Sequence, residues 1–390
     1  MSRFYSYINS ATAIIDQYQG QEPLAVYLKQ FFAANKKYGS KDRKHIAALC
    51  YHYYRVAKAV KSGSVSDKLL VSTVLCESEP SPLLEVLKPE WNQIISQPIA
   101  DKIAFLGAVF DNDALFSFVE NLSPGIDKKA FAASFLSQPK LFLRIRPGHE
   151  NVVTAKLKSV AVPFEQLSDN CLALPNGTKL EDDVLIDKEV VVQDYNSQQV
   201  GEVLRPYLLS HTLPPTVWDC CAASGGKSIM LYDINRKVKL LVSDIRSSIL
   251  HNLQNRFQRA GIQHYQSFVC DLSSDGEKLS AAQKFNFIVA DVPCTGSGTW
   301  ARTPEQSYFF KRESIDEFAY RQQKILSHVI PHLASGGYLV YITCSVFKKE
   351  NEDMVAYLQQ SFGLELMEMH LLKGYDRFAD TMFVAILKKN

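Results

Sequence analysis

The chain has 390 residues, 46% of them hydrophobic and 22% charged, and its 43 lysines and arginines nearly balance 41 acidic residues for a formal net charge of +2. That length exceeds one ordinary core and suits two or three domains, and the composition excludes a disordered or fibrous chain. A near-neutral balance neither marks nor excludes a nucleic-acid binder, because binding depends on a local basic face that net charge averages away.

The opening segment MSRFYSYINSATAIIDQYQG has no continuous apolar stretch, so no signal peptide is expected. No apolar run approaches the roughly 20 residues of a membrane span. The eight cysteines are scattered without the spacing of a zinc site or a disulfide framework. A reduced cytoplasmic protein with no metal and no membrane partner, acting as a monomer, is therefore expected. Six of the cysteines read as small buried hydrophobes.

Residues 1 to about 137 read as helical. Leu24, Tyr27, Leu28 and Phe31 fall on one helical face. After the break at Gly39, Ser40 can cap a second helix carrying Ile46, Leu49, Tyr53 and Val56. The pattern changes at Pro139. Leu141–Arg146 is strand-like, a helix is expected near Val152–Ser159, and short strands over Val162–Phe164, Leu172–Leu174 and Val190–Gln193 follow, with a tight turn at Asn176-Gly177. Residues 138–195 thus form a small α/β linking subdomain. From 196 to 390 strands and helices alternate, with strands at Val217-Trp218, Leu240–Val242, Phe268-Val269, Phe287–Ala290, Tyr338–Thr343 and Phe383–Leu387. Such alternation predicts a doubly wound, Rossmann-like α/β sheet whose ligands sit at the carboxyl ends of the strands.

Three features lie at those ends. The first is the loop Asp219-Cys220-Cys221-Ala222-Ala223-Ser224-Gly225-Gly226-Lys227-Ser228, where small residues let backbone approach a ligand and a new helix offers free N–H groups. A phosphate loop is excluded by spacing, because Cys221 stands where its first glycine belongs. The second is the pair Asp244 and Asp271, each ending a strand. Their carboxylates suit ribose hydroxyls and an adenine edge, which favours an adenosyl ligand over a nicotinamide. The third is a pair of cysteines just past strand ends, Cys294 in Asp291-Val292-Pro293-Cys294-Thr295-Gly296-Ser297-Gly298 and Cys344 in Thr343-Cys344-Ser345. A thiolate adding to C6 of cytosine makes C5 nucleophilic toward a methyl sulfonium. A carboxylate such as Asp291 near N3 favours the addition, and a second group can assist release. Chemistry alone leaves open which cysteine attacks.

These motifs resemble the Sun/Fmu (RsmB-like) RNA cytosine-C5 methyltransferases along nearly the full chain. Cys-Ala-Ala-Ser-Gly-Gly-Lys at 221–227 is similar to that family's cofactor loop, with Ser224 in place of the usual proline. The segment 291–298, continuing to Arg302 and Pro304, is similar to its proline-cysteine motif. Thr343-Cys344-Ser345, followed by Glu350-Asn351-Glu352, is similar to its threonine-cysteine-serine motif. The resemblance implies a class I methyltransferase core using S-adenosylmethionine. In it Cys344 would be the nucleophile and Cys294 the release group, with Cys221, Ala222, Ala223, Ser224, Gly225, Gly226, Lys227, Asp244, Asp271 and Asp291 at the cofactor and Lys227 also near the base. It further implies that residues 1–137 are a NusB-like RNA-binding domain and that the substrate is 16S ribosomal RNA.

Four departures stand out: Ser224, Ala301 where the family often has arginine, Arg146 where it has asparagine, and Asp380–Phe383 without the usual glycine. A base must be single-stranded or flipped out to reach such a pocket. Arg144, Arg146 and Arg302 are the expected RNA contacts, with Lys36, Lys37, Lys41, Arg43 and Lys44 as a further cluster. A transfer-RNA methyltransferase and a non-catalytic RNA-binding or ribosome-assembly factor on the same fold are the alternatives.

Overall fold

A computed structural model describes residues 3–180, 182–274 and 279–390. Two units emerge, one of residues 1–120, 127–138 and 299–312, the other of residues 121–126, 139–298 and 313–390. The division departs from three consecutive segments in three ways, the first being that residues 121–126 leave the helical half for the second unit. The linking subdomain and the core run together as one unit, and residues 299–312, taken from within the catalytic half, join the helices.

The first unit is helical. Its longer helices are Arg3–Gln17, Leu24–Ala34, Ser40–Val56 and Val65–Cys76. Leu24 and Leu28 are buried while Tyr27 and Phe31 pack against the same core, so one face of the helix is apolar as its spacing requires. Ser40 is the first helical residue, not the cap. Gly39 holds the cap position, and its N–H is satisfied by the Asp42 carboxylate at 3.1 Å. Residues 299–312 belong here because they are rich in rings. Trp300 lies 4.7 Å from Phe310 and 6.2 Å from Phe116, Tyr308 is 5.2 Å from Tyr54, and Phe309 is 5.6 Å from Tyr18. The Glu305 carboxylate accepts from the Leu24 N–H at 3.1 Å, capping that helix from a distant part of the chain.

In the second unit a small antiparallel sheet is made of β1 (Leu141–Ile145), β2 (Glu165–Ser168), β3 (Cys171–Leu174) and β4 (Val190–Val192), in the order β2-β3-β1-β4. The strand expected at Val162–Phe164 begins later, at Glu165. The hairpin into β3 sets its register, pairing Glu165 with Ala173 and Ser168 with Cys171. Gly177 takes the left-handed backbone (φ 79°) that the Asn-Gly turn needs.

The large sheet contains β5 (Thr216–Asp219), β6 (Lys239–Asp244), β7 (Tyr265–Val269), β8 (Phe285–Asp291), β9 (Leu333–Thr343), β10 (Glu365–Leu372) and β11 (Met382–Lys388). Their order is β10-β11-β9-β8-β5-β6-β7, and only β11 runs antiparallel to both of its neighbours. This is the Rossmann-like arrangement the alternation predicted. Strand β10 has no signature in the sequence, because it is half exposed and lacks an apolar run. Neighbouring residues such as Val217 and Trp218, or Phe287 and Ile288, enter separate cores on opposite faces. Burial on both faces is why these strands read as continuous apolar runs. The chain leaves β5 through β6 and β7, then returns on the other side at β8. A crevice therefore opens beyond the carboxyl ends of β5 and β8.

Candidate active site

The loop after β5 is shaped by backbone conformations that side chains resist. Ala223 adopts φ 46° and Gly225 φ 82°, where Gly225 caps the helix Gly226–Ile234. A Cβ on Gly225 would lie 2.8 Å from the Phe257 ring and 2.9 Å from Leu253, so the loop sits directly on the helix Ser247–Ala260. The Ala223 N–H donates to one Asp244 oxygen at 3.0 Å. The other Asp244 oxygen accepts from the backbone and side chain of Arg246, both at 3.0 Å. Asp271 turns one oxygen back to the N–H and hydroxyl of Ser273 at 2.9 and 2.6 Å. Those hydrogen bonds hold its carboxyl below the usual range.

Behind the loop lies Asp219, which composition and spacing did not single out as functional. It is buried, accepts from the Ser228 hydroxyl at 2.6 Å, and is pushed up to about 7, chiefly by burial. Its second oxygen has no hydrogen-bond partner among the described residues. An orphaned carboxylate oxygen behind small residues at a helix start fits a polar, cationic ligand in this crevice.

The two cysteines are brought together by register. Strands β8 and β9 are parallel neighbours that pair Ala290 with Tyr341 and Asp291 with Ile342. Cys294 and Cys344 follow within a few residues, and their sulfurs lie 3.2 Å apart. Both are half-buried; of the six expected to be buried hydrophobes, Cys50, Cys171, Cys220 and Cys270 are buried, while Cys76 and Cys221 are half-buried too. The Gly298 N–H donates to the Cys344 carbonyl at 2.8 Å, and a Cβ there would strike the Thr381 carbonyl at 2.0 Å. Glycine is therefore required at 298. Lys227 reaches across from the loop to Asp291, Nζ to Oδ2 2.6 Å. Burial works against the lysine's charge. The Asp291 carboxylate, with smaller contributions from Asp219 and negative charge on Cys344, overcomes it and raises the ammonium above its ordinary value.

One buried carboxylate ties both cysteine loops. Glu350 accepts from the Thr295 N–H (2.9 Å) and hydroxyl (2.6 Å), from the Ser345 hydroxyl (2.5 Å) and from the Gln322 amide (2.9 Å). Asn351 completes the frame by accepting from the Thr343 hydroxyl at 2.6 Å and donating to the Ser345 carbonyl at 2.9 Å. The hydrogen bond with Cys344, then burial, then negative charge at Cys344 and Glu350 hold the Cys294 thiol well above its ordinary value. Sequence motifs included Glu350 and Asn351 without a role. Gln322 left a weak signal, a polar residue on the otherwise apolar face Ala319, Ile325, Leu326 and Val329 of its helix.

The arginines expected to touch RNA lie elsewhere. Arg144 and Arg146 are buried and both close on Asp233, at 2.7 and 2.8 Å. Strand β1 alternates faces, so residues 144 and 146 point the same way, inward against the helix Gly226–Ile234. Their expectation as phosphate contacts is corrected: these guanidinium groups are structural. Arg146→Ala should cost about 3 kcal/mol or more of fold stability, since the Asp233 carboxylate is left with Arg144 and Arg236 alone and the Asp187 and Ala260 carbonyls lose a charged donor. Denaturant melts would read that loss. Arg302 is half-buried in the 299–312 segment of the helical unit. Lys36, Lys37, Lys41 and Lys44 are exposed, and Arg43 is half-buried with its Nε donating to the Tyr38 carbonyl at 2.8 Å.

Comparison with known proteins places this geometry. Residues 206–381 match the family model described as 16S rRNA methyltransferase RsmB/F. The ribosomal RNA small subunit methyltransferase B of Proteus mirabilis is 30% identical over 204 residues, covering 51% of this chain and 46% of that protein. The chain spans about half the length of the curated relatives it matches. A crystal structure of PH0851 superposes with a TM-score of 0.71 at 18% identity, covering 99% of this chain and 98% of its own. That of a methyltransferase homolog from Pyrococcus horikoshii gives 0.59 at 19% identity, covering 74% and 98%. These superpositions establish the fold.

Proposed function

We propose, from the match of residues 206–381 to the RsmB/F methyltransferase family, that the protein is an S-adenosylmethionine-dependent ribosomal RNA methyltransferase that modifies C5 of a cytosine in 16S rRNA through Cys344. One observation carries the cysteine assignment. The two sulfurs sit 3.2 Å apart in unlike surroundings, with Cys294 beside the Glu350 carboxylate and Cys344 within electrostatic reach of the Lys227 ammonium. An anion is disfavoured at Cys294.

S-adenosylmethionine supplies an electrophilic methyl group when bound. The loop 221–227, Asp244 and Asp271 would hold it, the Asp244 carboxylate offering acceptors to ribose hydroxyls and Asp271 to the adenine. Cys344 adds as a thiolate to C6 of the flipped cytosine, and the C5–C6 electron pair makes C5 nucleophilic. Asp291 faces the N3 edge and holds beside it the Lys227 ammonium, which stabilises the negative charge developing on the ring. After methylation C5 carries one proton too many. With Cys344 bonded to C6, the hydrogen bond and negative charge of Cys344 that hold up the Cys294 thiol are gone. Cys294 then releases its proton to solvent and as a thiolate takes the C5 proton, which re-forms the C5–C6 double bond and expels Cys344 as the leaving thiolate. The helical unit and Arg302 supply RNA contacts outside the pocket.

The direct test is transfer of labelled methyl from S-adenosylmethionine to purified 16S rRNA and, in parallel, to tRNA, with digestion to nucleosides. Label in 5-methylcytidine from 16S rRNA is expected. Label only from tRNA would move the substrate, and label in another nucleoside would overturn the chemistry. Asp244→Ala should weaken S-adenosylmethionine binding by about tenfold or more, from loss of charge-assisted hydrogen bonds. Titration calorimetry checks this, and an unchanged affinity would remove Asp244 from the site.

A further inference from the structure

Ser224 stands where the family resemblance expects a proline, so the cofactor loop lacks the ring that would fix its backbone. The structure holds the loop in another way. Arg256, on the helix Ser247–Ala260, donates through Nη1 to both the carbonyl oxygen of Ser224 (3.0 Å) and its hydroxyl (2.9 Å). The other edge of the same guanidinium meets one oxygen of Asp187, from Nε at 2.9 Å and Nη2 at 2.7 Å.

Asp187 belongs to the linking subdomain and is itself tightly held. It is 1% exposed and adopts a left-handed backbone (φ 66°). Its carbonyl accepts from Arg146 at 2.8 Å, its N–H donates to the Val190 carbonyl at 2.7 Å, and its second carboxylate oxygen takes Arg259 at 2.7 Å. A rigid planar fork with one edge fixed leaves its free edge aimed in a single direction. That direction is the loop. One residue further on, Gly225 rests on Leu253 and Phe257 of the helix that carries Arg256.

We infer that Arg256, oriented by the buried Asp187 of the linking subdomain, is a positioning residue that holds the loop 221–227 in its methyl-donor-binding shape, in place of the proline ring. The inference rests on the assignment of that loop to S-adenosylmethionine. It gives the linking subdomain a part in cofactor binding and gives Arg146 a second structural duty, bracing Asp187.

Affinity for S-adenosylmethionine by calorimetry, KM for donor and for RNA, kcat and melting temperature are measured for Arg256→Met, Arg256→Lys, Ser224→Ala and the Arg256→Met/Ser224→Ala double variant. Arg256→Met should raise the donor Kd and KM about tenfold and leave the RNA KM unchanged, through loss of two hydrogen bonds to a charged donor. Ser224→Ala, which removes only the hydroxyl acceptor, should raise them about threefold alone and add nothing in the Arg256→Met background. If Arg256→Met does not fold, Arg256→Lys keeps the charge beside Asp187 but not the fork, and the same donor-selective loss is expected of it. Parent-like donor affinity in a folded Arg256 variant, equal losses for donor and RNA, or an undiminished Ser224→Ala effect in the double variant would overturn the tether. Asp244→Ala separates the two levels. If it loses affinity while the Arg256 variants do not, the tether alone fails; if neither loses affinity, the assignment of the loop fails with it.

Discussion

Replacing Cys344 with alanine is expected to lower methyl transfer by on the order of 10⁴-fold or more, with S-adenosylmethionine affinity within about twofold of the parent, because the nucleophile acts only on the base. Without addition to C6, the C5 carbon of cytosine lacks the electron density to attack a methyl group. Cys294 is the nearest sulfur, at 3.2 Å, but it is held protonated by its neighbour, by burial and by Glu350. It should not substitute. Steady-state methyl transfer together with a donor-binding titration checks both halves of the statement. A Cys344→Ala enzyme retaining even a tenth of the parent rate would place the chemistry elsewhere.

The second large effect is expected at Glu350. In Glu350→Ala four hydrogen-bond donors lose their acceptor inside the protein, two from Thr295 and one each from Ser345 and Gln322. Buried donors left unpaired cost about 1–3 kcal/mol each, and neighbouring costs do not add fully. A loss of about 4 kcal/mol is reasonable for the fold. Glu350→Gln behaves differently. Its amide oxygen can still accept from the Thr295 N–H and from Gln322, while its amino group donates to the Thr295 and Ser345 hydroxyls, which can turn to accept. This variant should melt within about 1 kcal/mol of the parent. Without the carboxylate's charge the Cys294 thiol should ionise at lower pH, since negative charge at Glu350 is one of the causes that raise it. Thiol alkylation rate against pH in a Cys344→Ala background reads that change directly. An unmoved profile would limit Glu350 to a structural role.

Much of this site is legible in the amino-acid sequence. The loop at 221–227, Asp244, Asp291 and both cysteines lie at strand ends that apolar runs locate, because parallel strands buried on both faces leave an unbroken hydrophobic signature. What a sequence does not display is the partner of each charged group. Arg144 and Arg146 look like phosphate ligands on a short strand, yet Asp233, far along the chain, takes both of them. Glu350 sits in a recognisable motif, but its four donors come from three separate segments. Strand β10 escapes notice because an exposed edge strand needs no apolar pattern. The 299–312 segment, counted with the core by its position, packs among helices through Trp300, Tyr308 and Phe309, whose helical partners Phe116, Tyr54 and Tyr18 are remote in sequence. Local pattern reports what faces inward; it does not report against what.

The roles of the two cysteines can be tested against each other in a single measurement. Parent, Cys294→Ala and Cys344→Ala enzymes are incubated with S-adenosylmethionine and 16S rRNA, denatured, digested with nuclease and weighed by intact-protein mass spectrometry. Expected is a covalent nucleotide adduct that accumulates in Cys294→Ala, maps to the peptide containing Cys344, and is absent from Cys344→Ala. An adduct that persists in Cys344→Ala and maps to Cys294 would contradict the assignment and exchange the roles of the two sulfurs.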